Sequence, residues 1–423
     1  MKSRKTCLIA VLGLLALNAV SLAADWPQFL GPNRDGISPE TGLNLDWKAR
    51  PPRVVWKVAL GDGGFSSVAV VGERLWTMST RGERDWVLCL DVRTGRQLWA
   101  YDAAPRYLDL EKQGCGPRAT PTYQQGRLYC LFPKGELLCL NAADGKLIWQ
   151  VNVFQASGAT TPHNNNFCRW GLSQSPLIEG DLVITQPGGD QNNSVVAWDK
   201  DSGKLVWGAG NEPPGYASPI AITVAGRRQL VCPTAQSILG VDPLTGQVLW
   251  RYPFGNRHHA TGASPLWTGD RLLVSSAYAI GTASLQILRN GDQWEVREQW
   301  KTIKLQNHFA TSVMMDGHLY GCHGDLSSIQ VRCLDLNTGE MKWTERQPFG
   351  RGRCTLLGVA GRLISLSEQG SLQLLHAQPD GLVVHAELPD LLNSIVWSAP
   401  ALADGRLYLR DQRQMLCLDL RRE

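Results

Sequence analysis

Residues 87–99, VLCLDVRTGRQLW, contain the pattern that decides the fold of this chain. An apolar strand ends at Asp91, and a second short strand carries Trp99. Between them, Thr94-Gly95 has the composition of a tight turn, in which the Asp side chain accepts backbone N–H groups and Gly adopts a positive φ. The stretch therefore predicts two antiparallel strands joined by a hairpin turn.

The same phrase returns along the chain and ends in a tryptophan. Successive tryptophans are 43 to 58 residues apart, close to the roughly 40–50 residues that four short strands and their turns need. Alternating apolar residues without a convincing amphipathic helix favour strands throughout. We therefore predict an all-β, eight-bladed β-propeller of four-stranded antiparallel blades. The recurring tryptophans are Trp56, Trp99, Trp149, Trp207, Trp250, Trp300 and Trp343.

The two ends of the repeat region suggest how the ring closes. The eighth copy stops at Leu420 without a tryptophan strand, and an unmatched strand of that type covers residues 54–60. Because an open edge strand is a template for aggregation, we expect the N-terminal strand to complete the last blade. The predicted propeller covers residues 54–423, and residues 24–53 form an extension over it.

The tryptophans themselves are expected to be structural. Each is large and flat and can donate one hydrogen bond, so one per blade can hold neighbouring sheets together.

The N-terminus has the pattern of an export signal. Residues 2–5 are positive, residues 8–17 are apolar, and Ser21 and Ala23 suit cleavage near residue 23. We predict a signal peptide over residues 1–23 and a periplasmic or secreted protein without a transmembrane segment after cleavage; an uncleaved anchor is the alternative. Cys7 has no lipobox around it.

Composition excludes two classes of protein. Hydrophobic residues make up 43% of the chain and charged residues 19%, so a large core can form and the chain is not disordered. Loss of Lys2, Arg4 and Lys5 with the signal lowers the formal charge from +4 to +1, which removes a broad electrostatic case for nucleic acid.

The cysteines form no metal or haem motif, since no Cys-x-x-Cys spacing occurs. Their recurrence before Leu-Asp is typical of small buried residues. Cys130 and Cys139 flank Lys134-Gly135, and a two-residue turn there would place them opposite each other. Either a cross-strand disulfide or two free buried thiols fits this spacing.

The phrase Asp-x-x-Thr-Gly-x-x-x-Trp resembles the pyrroloquinoline quinone (PQQ) repeat of quinoprotein propellers. The opening residues 25–36, DWPQFLGPNRDG, look like the start of exported PQQ-like propellers. The resemblance implies an eight-bladed ring with tryptophan docking between blades. The same repeat builds PQQ-dependent alcohol dehydrogenases and non-catalytic BamB-like assembly factors, so it does not decide the function. The chain lacks the adjacent cysteines of the dehydrogenases.

A propeller binds ligands at the mouth of its channel, on the loops that enter the innermost strands. Two such loops, residues 102–118 and 151–172, are long, which is typical of functional loops. Basic and aromatic residues on these and the equivalent loops would suit a planar anion such as PQQ, a sugar acid or an acidic peptide, because Arg binds carboxylates in a bidentate manner and Trp stacks. Ordinary polar loop residues are the alternative interpretation. The candidates are Arg118, Arg169, Trp170, His258, His259, His308 and Arg353.

Catalytic and metal motifs are absent from the sequence. No Gly-x-Ser-x-Gly, His-Glu-x-x-His or Walker motif occurs, and no carboxylate of defining spacing accompanies the histidines, so we predict no metal site. We therefore expect an exported binding or scaffold propeller of the cell envelope, monomeric, with a protein or small anionic ligand at the mouth and no assigned cofactor. The alternatives are a small PQQ- and calcium-dependent alcohol dehydrogenase and a carbohydrate-binding propeller.

Overall fold

The computed structural model describes residues 24–109, 111, 114–159, 169–324, 330–346 and 353–422. Two N-terminal strands, β1 (Ile37–Ser38) and β2 (Arg53–Ala59), precede the first complete blade. The predicted signal peptide, residues 1–23, lies outside the described residues. Among those described, no helix is long and apolar enough to cross a membrane.

Blades 1 to 4 are four-stranded sheets, each made of consecutive antiparallel strands. Blade 1 contains β3 (Ala69–Val71), β4 (Arg74–Arg81), β5 (Arg84–Asp91) and β6 (Gln97–Pro105). Blade 2 contains β7 (Thr122–Gln124), β8 (Arg127–Leu131), β9 (Glu136–Asn141) and β10 (Leu147–Asn152), and the short helix α1 (Val153–Ser157) follows it. Blade 3 contains β11 (Leu177–Glu179), β12 (Leu182–Thr185), β13 (Val195–Asp199) and β14 (Leu205–Ala209). Blade 4 contains β15 (Ile220–Val224), β16 (Arg227–Pro233), β17 (Ser237–Val241) and β18 (Val248–Pro253).

Blades 5 to 8 complete the ring. Blade 5 contains β19 (Leu266–Trp267), β20 (Leu272–Ser276), β21 (Gly281–Asn290) and β22 (Gln293–Thr302). Blade 6 contains β23 (Val313–Met315), β24 (His318–His323), β25 (Gln330–Asp335) and β26 (Met341–Arg346). Blade 7 contains β27 (Cys354–Val359), β28 (Arg362–Ser367), β29 (Leu372–Gln378) and β30 (Gly381–Leu388). Blade 8 contains β31 (Ala401–Ala403), β32 (Arg406–Arg410) and β33 (Gln414–Asp419).

The N-terminal strand closes the last blade. Strand β2 pairs antiparallel with β33, and Trp56 lies opposite Cys417. Blade 8 therefore has the order β2-β33-β32-β31. The predicted eight-bladed all-β propeller, with its last blade closed by the N-terminal strand, is confirmed.

The repeated turn follows from the side chain that begins it. Asp91 Oδ1 accepts hydrogen bonds from the backbone N–H groups of Arg93 (3.0 Å) and Thr94 (2.9 Å), and Gly95 has a φ of 71°. The turns that begin at Asp199, Asp242 and Asp335 repeat this arrangement.

The tryptophans lie between blades. The indole Nε1 of Trp56 donates to the carbonyl oxygen of Val92, in the Asp91 turn of the next blade (2.9 Å). Trp99, Trp149, Trp207 and Trp300 make the equivalent bond to the following blade, and Trp343 bonds the turn of blade 7. Each of these contacts lies at the outer part of the ring and joins two sheets.

Trp250 differs because blade 5 has no turn of this kind. Strands β21 and β22 run for ten residues each to a two-residue connection. Trp250 packs among their apolar side chains, and its Nε1 donates to Gln229 of its own blade (2.6 Å).

The N-terminal segment packs against the propeller. Trp26 forms a bridge with Val70 of blade 1, and β1 pairs in parallel with β27 of blade 7. The buried Arg34 guanidinium donates to the carbonyl oxygens of Pro219 (3.1 Å), Ser175 (3.4 Å) and Pro176. The segment thus contacts the inner strands of several blades. The domain boundaries given from the sequence stay predictions.

The cross-strand disulfide considered for Cys130 and Cys139 is wrong. The β8–β9 register pairs Cys139 with Tyr129 and Cys130 with Leu138, and both thiols are free and buried. The Phe132 N–H group donates to the carbonyl oxygen of Glu136, so the turn between them contains the three residues 133–135. It is one residue longer than the predicted two-residue turn. A shift of one residue turns the two side chains to opposite faces of the sheet.

The structure instead contains a disulfide between Cys322 and Cys354, which are 32 residues apart in sequence. Cys322 lies in β24 and Cys354 begins β27, so the bond joins blades 6 and 7.

Candidate functional site

One end of the channel opens into a cavity of about 900 Å³. All seven residues singled out from the sequence as candidate ligand contacts line it, although they come from loops as far apart as residues 118 and 353. The neighbouring Arg257 lines it as well. Residues His163 to Cys168, which the sequence placed at the same mouth, lie outside the described residues. The cavity-lining candidates are Arg118, Arg169, Trp170, His258, His259, His308 and Arg353.

The rim of the cavity is built by one repeat-equivalent position per blade. That position lies shortly before each inner strand, usually two residues before a Ser or Thr. From blade 1 to blade 8 its occupants are Phe65, Arg118, Ser173, Tyr216, Gly262, Phe309, Arg353 and Trp397, and all of them line the cavity.

Sequence reasoning found the charged members of this rim and missed the aromatic ones. Phe65, Tyr216, Phe309 and Trp397 were not singled out, because an aromatic residue next to a strand is usually a core residue. Alignment of the repeats on their Ser/Thr positions, and on Ala399 in the eighth copy, places all four in register with Arg118.

Two arginines and two aromatic rings form a stack along the rim, which we call the rim stack (Arg118, Phe65, Trp397 and Arg353). The guanidinium of Arg118 lies 5.1 Å from the Phe65 ring centre, and that of Arg353 lies 5.2 Å from the Trp397 ring centre. The Phe65 and Trp397 rings are themselves stacked, with centroids 4.6 Å apart. Blades 2, 1, 8 and 7 supply the four side chains in that order, so the two guanidinium groups are separated by two rings.

Carboxylates behind the rim hold these arginines in place. Arg118 forms an ion pair with Asp109 (2.7 Å), and the two side chains are 8% and 0% exposed. Glu368 pairs with Arg353 (3.0 Å) and also accepts the Trp397 indole N–H. The cavity-lining Glu111 pairs with Arg169 (3.2 Å). These carboxylates are therefore already bonded to cations.

The opposite side of the mouth contains imidazole and phenol groups. The Tyr278 hydroxyl and His308 Nε2 share a hydrogen bond of 2.6 Å, and the His258 ring lies 4.5 Å from the Tyr278 ring. Burial lowers the pKa of His259, and the charges of Arg169 and His258 lower it further. His259 and Tyr278 both have left-handed backbones, with φ of 55° and 60°.

The throat of the cavity is lined by hydroxyl groups. Ser67 N–H donates to Thr120 Oγ1 (3.2 Å), Thr120 N–H to Ser175 Oγ (2.9 Å) and Ser175 N–H to Ser218 Oγ (2.9 Å). These bonds join the inner strands of blades 1 to 4. Phe29 of the N-terminal segment also lines the cavity and forms part of its floor.

The arrangement suits the binding of an anion better than that of a cation. Across the described ranges, no group of three or more His, Cys, Asp or Glu side chains is placed to hold a metal ion. Four arginines and three histidines line the cavity, and Glu111 is the sole carboxylate among its described lining residues.

Solved structures share this fold. BamB from Moraxella catarrhalis superposes with a TM-score of 0.62 at 16% identity, over 87% of this chain and 99% of that one. A europium-containing methanol dehydrogenase superposes with a TM-score of 0.65 at 14% identity, over 91% of this chain and 89% of that one. At such low identity the likeness shows the fold alone.

Sequence relatives fall in the same two groups. The outer membrane protein assembly factor BamB of Shewanella oneidensis is 25% identical over 219 residues, 52% of this chain and 50% of that protein. The dehydrogenase subunit of the alcohol dehydrogenase (quinone) of Komagataeibacter europaeus is 29% identical over 124 residues, 28% of this chain and 16% of that protein. The chain therefore spans half the length of the BamB relative and a smaller part of the dehydrogenase.

A family profile described as "Outer membrane protein assembly factor BamB" matches residues 42–164 and 83–345, which together cover most of the chain. The chain therefore belongs to this family of PQQ-repeat propellers.

Proposed function

We propose that this protein is an exported binding propeller of the cell envelope and that its ligand is an anion held at the channel mouth. Export is supported by the signal-like residues 2–23 and by the Cys322–Cys354 disulfide, because disulfides persist in oxidising compartments. A role in envelope assembly is supported by the BamB relative, whose name describes an assembly factor of outer membrane proteins.

The observation that carries the proposal is the charge of the cavity lining. Arginine guanidinium groups pair with carboxylates through parallel N–H bonds, and four such groups face one enclosed space. Three of the four are paired with Asp109, Glu111 or Glu368, so the attraction of an anion rests on charge-assisted hydrogen bonds from the guanidinium groups and not on a field of one sign.

A protein partner would reach this cavity only with part of its surface. A space of about 900 Å³ accepts a small molecule or a short extended segment, and not a folded domain. A scaffold role therefore combines contacts on the outer faces of the blades with capture of an anionic group at the mouth.

Calorimetric titration of the chain from residue 24 with oligocarboxylates tests the proposal. We expect tetraglutamate, tetragalacturonate or PQQ to bind, with an affinity that falls as salt is added. Arg353→Gln should weaken that binding. Arg53→Gln, on an exposed arginine of β2, is the matched control and should leave it unchanged. The proposal fails if none of these anions binds or if both variants behave alike.

A PQQ-dependent dehydrogenase is the second candidate, favoured by arginines beside stacked aromatic rings. The arginines fit the carboxylates of PQQ, but the described residues do not fit its calcium ion. Calcium requires several oxygen ligands, whereas Asp109, Glu111 and Glu368 are each paired with an arginine. We therefore derive no oxidation step from this site.

Addition of PQQ and calcium separates the two candidates. A ligand present at 100 times its dissociation constant stabilises the native state by about 2.7 kcal/mol. We expect any stabilisation by PQQ to be independent of calcium and to bring no dye-linked oxidation of alcohols. Calcium-dependent oxidation would establish the dehydrogenase instead.

A further inference from the structure

We propose that the mouth cavity takes an oligosaccharide of uronic acids, with carboxylates received by Arg118 and Arg353. The inference rests on the proposed function, since it names the ligand class of the same site.

Arg118 has hydrogen-bonding capacity that the described residues do not use. Its Nη2 bonds Asp109, but its buried Nε has no hydrogen-bond partner among the described residues. The Nε atom is closed off from the cavity as well, so a ligand carboxylate would instead bond the part of the guanidinium group that lines the cavity. The ion pair and the Phe65 ring fix the guanidinium in advance, so little conformational entropy is lost on binding.

Two aromatic rings lie between the two arginines of the rim stack. Each lies about 5 Å from the centre of its own ring, and the Phe65 and Trp397 centres are a further 4.6 Å apart. The geometry therefore favours a ligand that repeats its negative charge along its length. An oligouronate carries one carboxylate on every sugar ring.

The rest of the lining suits sugar rings. Ser67, Thr120 and Ser218 present hydroxyl groups at the throat, which can exchange hydrogen bonds with ligand hydroxyls. Trp170 and Tyr216 line the facing wall with rings inclined at 58° to each other, and flat aromatic surfaces of this kind pack against the C–H faces of sugars.

An acidic peptide fits the same charges less well. One common way for a protein to bind a peptide is to add it as a strand to an unpaired sheet edge. At this mouth the backbone N–H groups of Ser67, Thr120, Ser175 and Ser264 already donate to hydroxyls of the next blade. The inner strands therefore offer few backbone donors to a peptide here.

Three matched ligands test the proposal in calorimetric titrations of the chain from residue 24. They are tetragalacturonate, its methyl ester, which has the same shape without the charges, and tetraglutamate, which has the charges without the sugar. We expect tetragalacturonate to bind at least about tenfold more tightly than either of the others, because a charge-assisted hydrogen bond is worth about that factor.

Variants locate the binding. Arg353→Gln should weaken tetragalacturonate about tenfold and Arg353→Lys by less, whereas Arg53→Gln should have no effect. Arg118→Gln would remove the cation from the buried ion pair with Asp109 and so puts folding at risk; for this reason Arg353 carries the test. A thermal melt of each variant checks that it is folded.

The outcomes separate the ligand class from the site. Tighter binding of tetraglutamate, with loss in Arg353→Gln, overturns the uronate proposal and leaves the anion site standing. Equal binding of the acid and its methyl ester overturns the role of the arginines. Absence of binding by every anion overturns both this inference and the proposed function.

Discussion

At the scale of single residues, the spacing of the blades depends on glycines that lie under tryptophan rings. Gly203, in the Asp199 turn, has a φ of 69°, and a Cβ built there would lie 2.6 Å from the Trp149 ring. Gly180, in the β11–β12 turn of the same blade, has a φ of 59°, and a Cβ there would meet nothing within 4 Å. The two positions share a backbone conformation and differ in their contact with a neighbouring blade.

Alanine substitutions at these two glycines separate backbone strain from blade docking. Gly180→Ala should cost about 1 kcal/mol, because only the left-handed backbone opposes it. Gly203→Ala should cost about 1–3 kcal/mol more, since Trp149 must move. Urea unfolding at equilibrium gives both values. Equal losses would show that the tryptophan contact does not determine the stability of the ring.

The sequence predicted those site residues that carry a charge in a loop. Arg118 and Arg353 stood out as charges in loops, and the structure brings them to one cavity. Trp397 did not stand out, because a tryptophan next to a strand resembles the seven that dock blades. Only the position of Trp397 within its repeat, shortly before the inner strand, distinguishes it from the tryptophans between blades. The role of that position becomes visible only when the eight blades form the ring.

Anion binding should strengthen as the pH falls, and His259 should contribute to this change. The pKa of His259 in the free protein lies below the usual value, so the ring is neutral at pH 7. As the pH falls, the ring is therefore protonated in the unfolded chain before it is protonated in the native state. His259 therefore opposes folding in acid, and a bound anion relieves that effect by raising the pKa.

Titration with a carboxylate ligand from about pH 7.5 to about pH 5.5 measures this change. His259→Asn should flatten part of the increase in affinity. His318→Asn, a substitution at the β23–β24 turn, should retain the full increase. An unchanged profile in His259→Asn would mean that other groups of the mouth account for the effect.

At the scale of strands, the disulfide joins two blades beside the rim. Cys354 follows Arg353 directly, and Cys322 lies in β24 of the preceding blade. Asn307 also bonds the Cys322 carbonyl (3.2 Å). The bond therefore anchors the start of β27, from which the Arg353 side chain reaches the cavity.

Reduction should lower the melting temperature of the protein. A disulfide that closes a loop of this length contributes about 3–4 kcal/mol, so the loss is expected to be several degrees. The double variant Cys322→Ser/Cys354→Ser should start at the lower temperature and show no response to reductant. Cys89→Ser, at a free buried thiol, keeps the response and serves as control. A similar response in the double variant would contradict the assignment.

Strand repeats were predictable from the sequence, but two local registers were not. The Asp-x-x-Thr-Gly turns specify their hairpins through side-chain hydrogen bonds, and the blades that contain them follow the expected order. The β8–β9 connection has three residues, Pro133 to Gly135, where the sequence predicted two. The extra residue shifts the register by one, and so Cys130 and Cys139 face opposite sides of the sheet. In blade 5 the missing turn lengthens β21 and β22, which changes the partner of Trp250.

At the scale of the molecule, two buried arginines join parts of the chain that are distant in sequence. Arg34 holds the N-terminal segment against blades 3 and 4, and burial lowers its pKa to about 9. Arg410 lies where blade 8 meets blade 1, and burial lowers its pKa to about 10. Both stay charged at neutral pH. These contacts were not predicted from the sequence, because an arginine between strands gives no indication of its distant partners.

Arg410 should determine how firmly the ring closes. Its Nη1 donates to Thr77 Oγ1 (2.7 Å) and to the Met78 carbonyl (2.8 Å), and its Nη2 donates to the Gly64 carbonyl (3.1 Å). All three acceptors belong to blade 1 or to the loop before it, whereas β2 and β33 join the chain ends within blade 8. Ring closure thus needs both the strand pairing and this contact between the last and first blades.

Arg410→Leu should destabilise the protein by about 3–5 kcal/mol, because it removes one partner from a buried polar cluster and leaves its oxygens without donors. The urea midpoint should fall. Limited proteolysis should also cut the chain near β2 sooner than in the wild type, because β2 pairs only with β33 of blade 8, and blade 8 has lost its Arg410 contact with blade 1. Arg289→Leu, on the exposed blade 5 hairpin, should change the free energy of unfolding by no more than about 0.5 kcal/mol. If Arg410→Leu unfolds at the wild-type midpoint, the pairing of β2 with β33 is sufficient to close the ring.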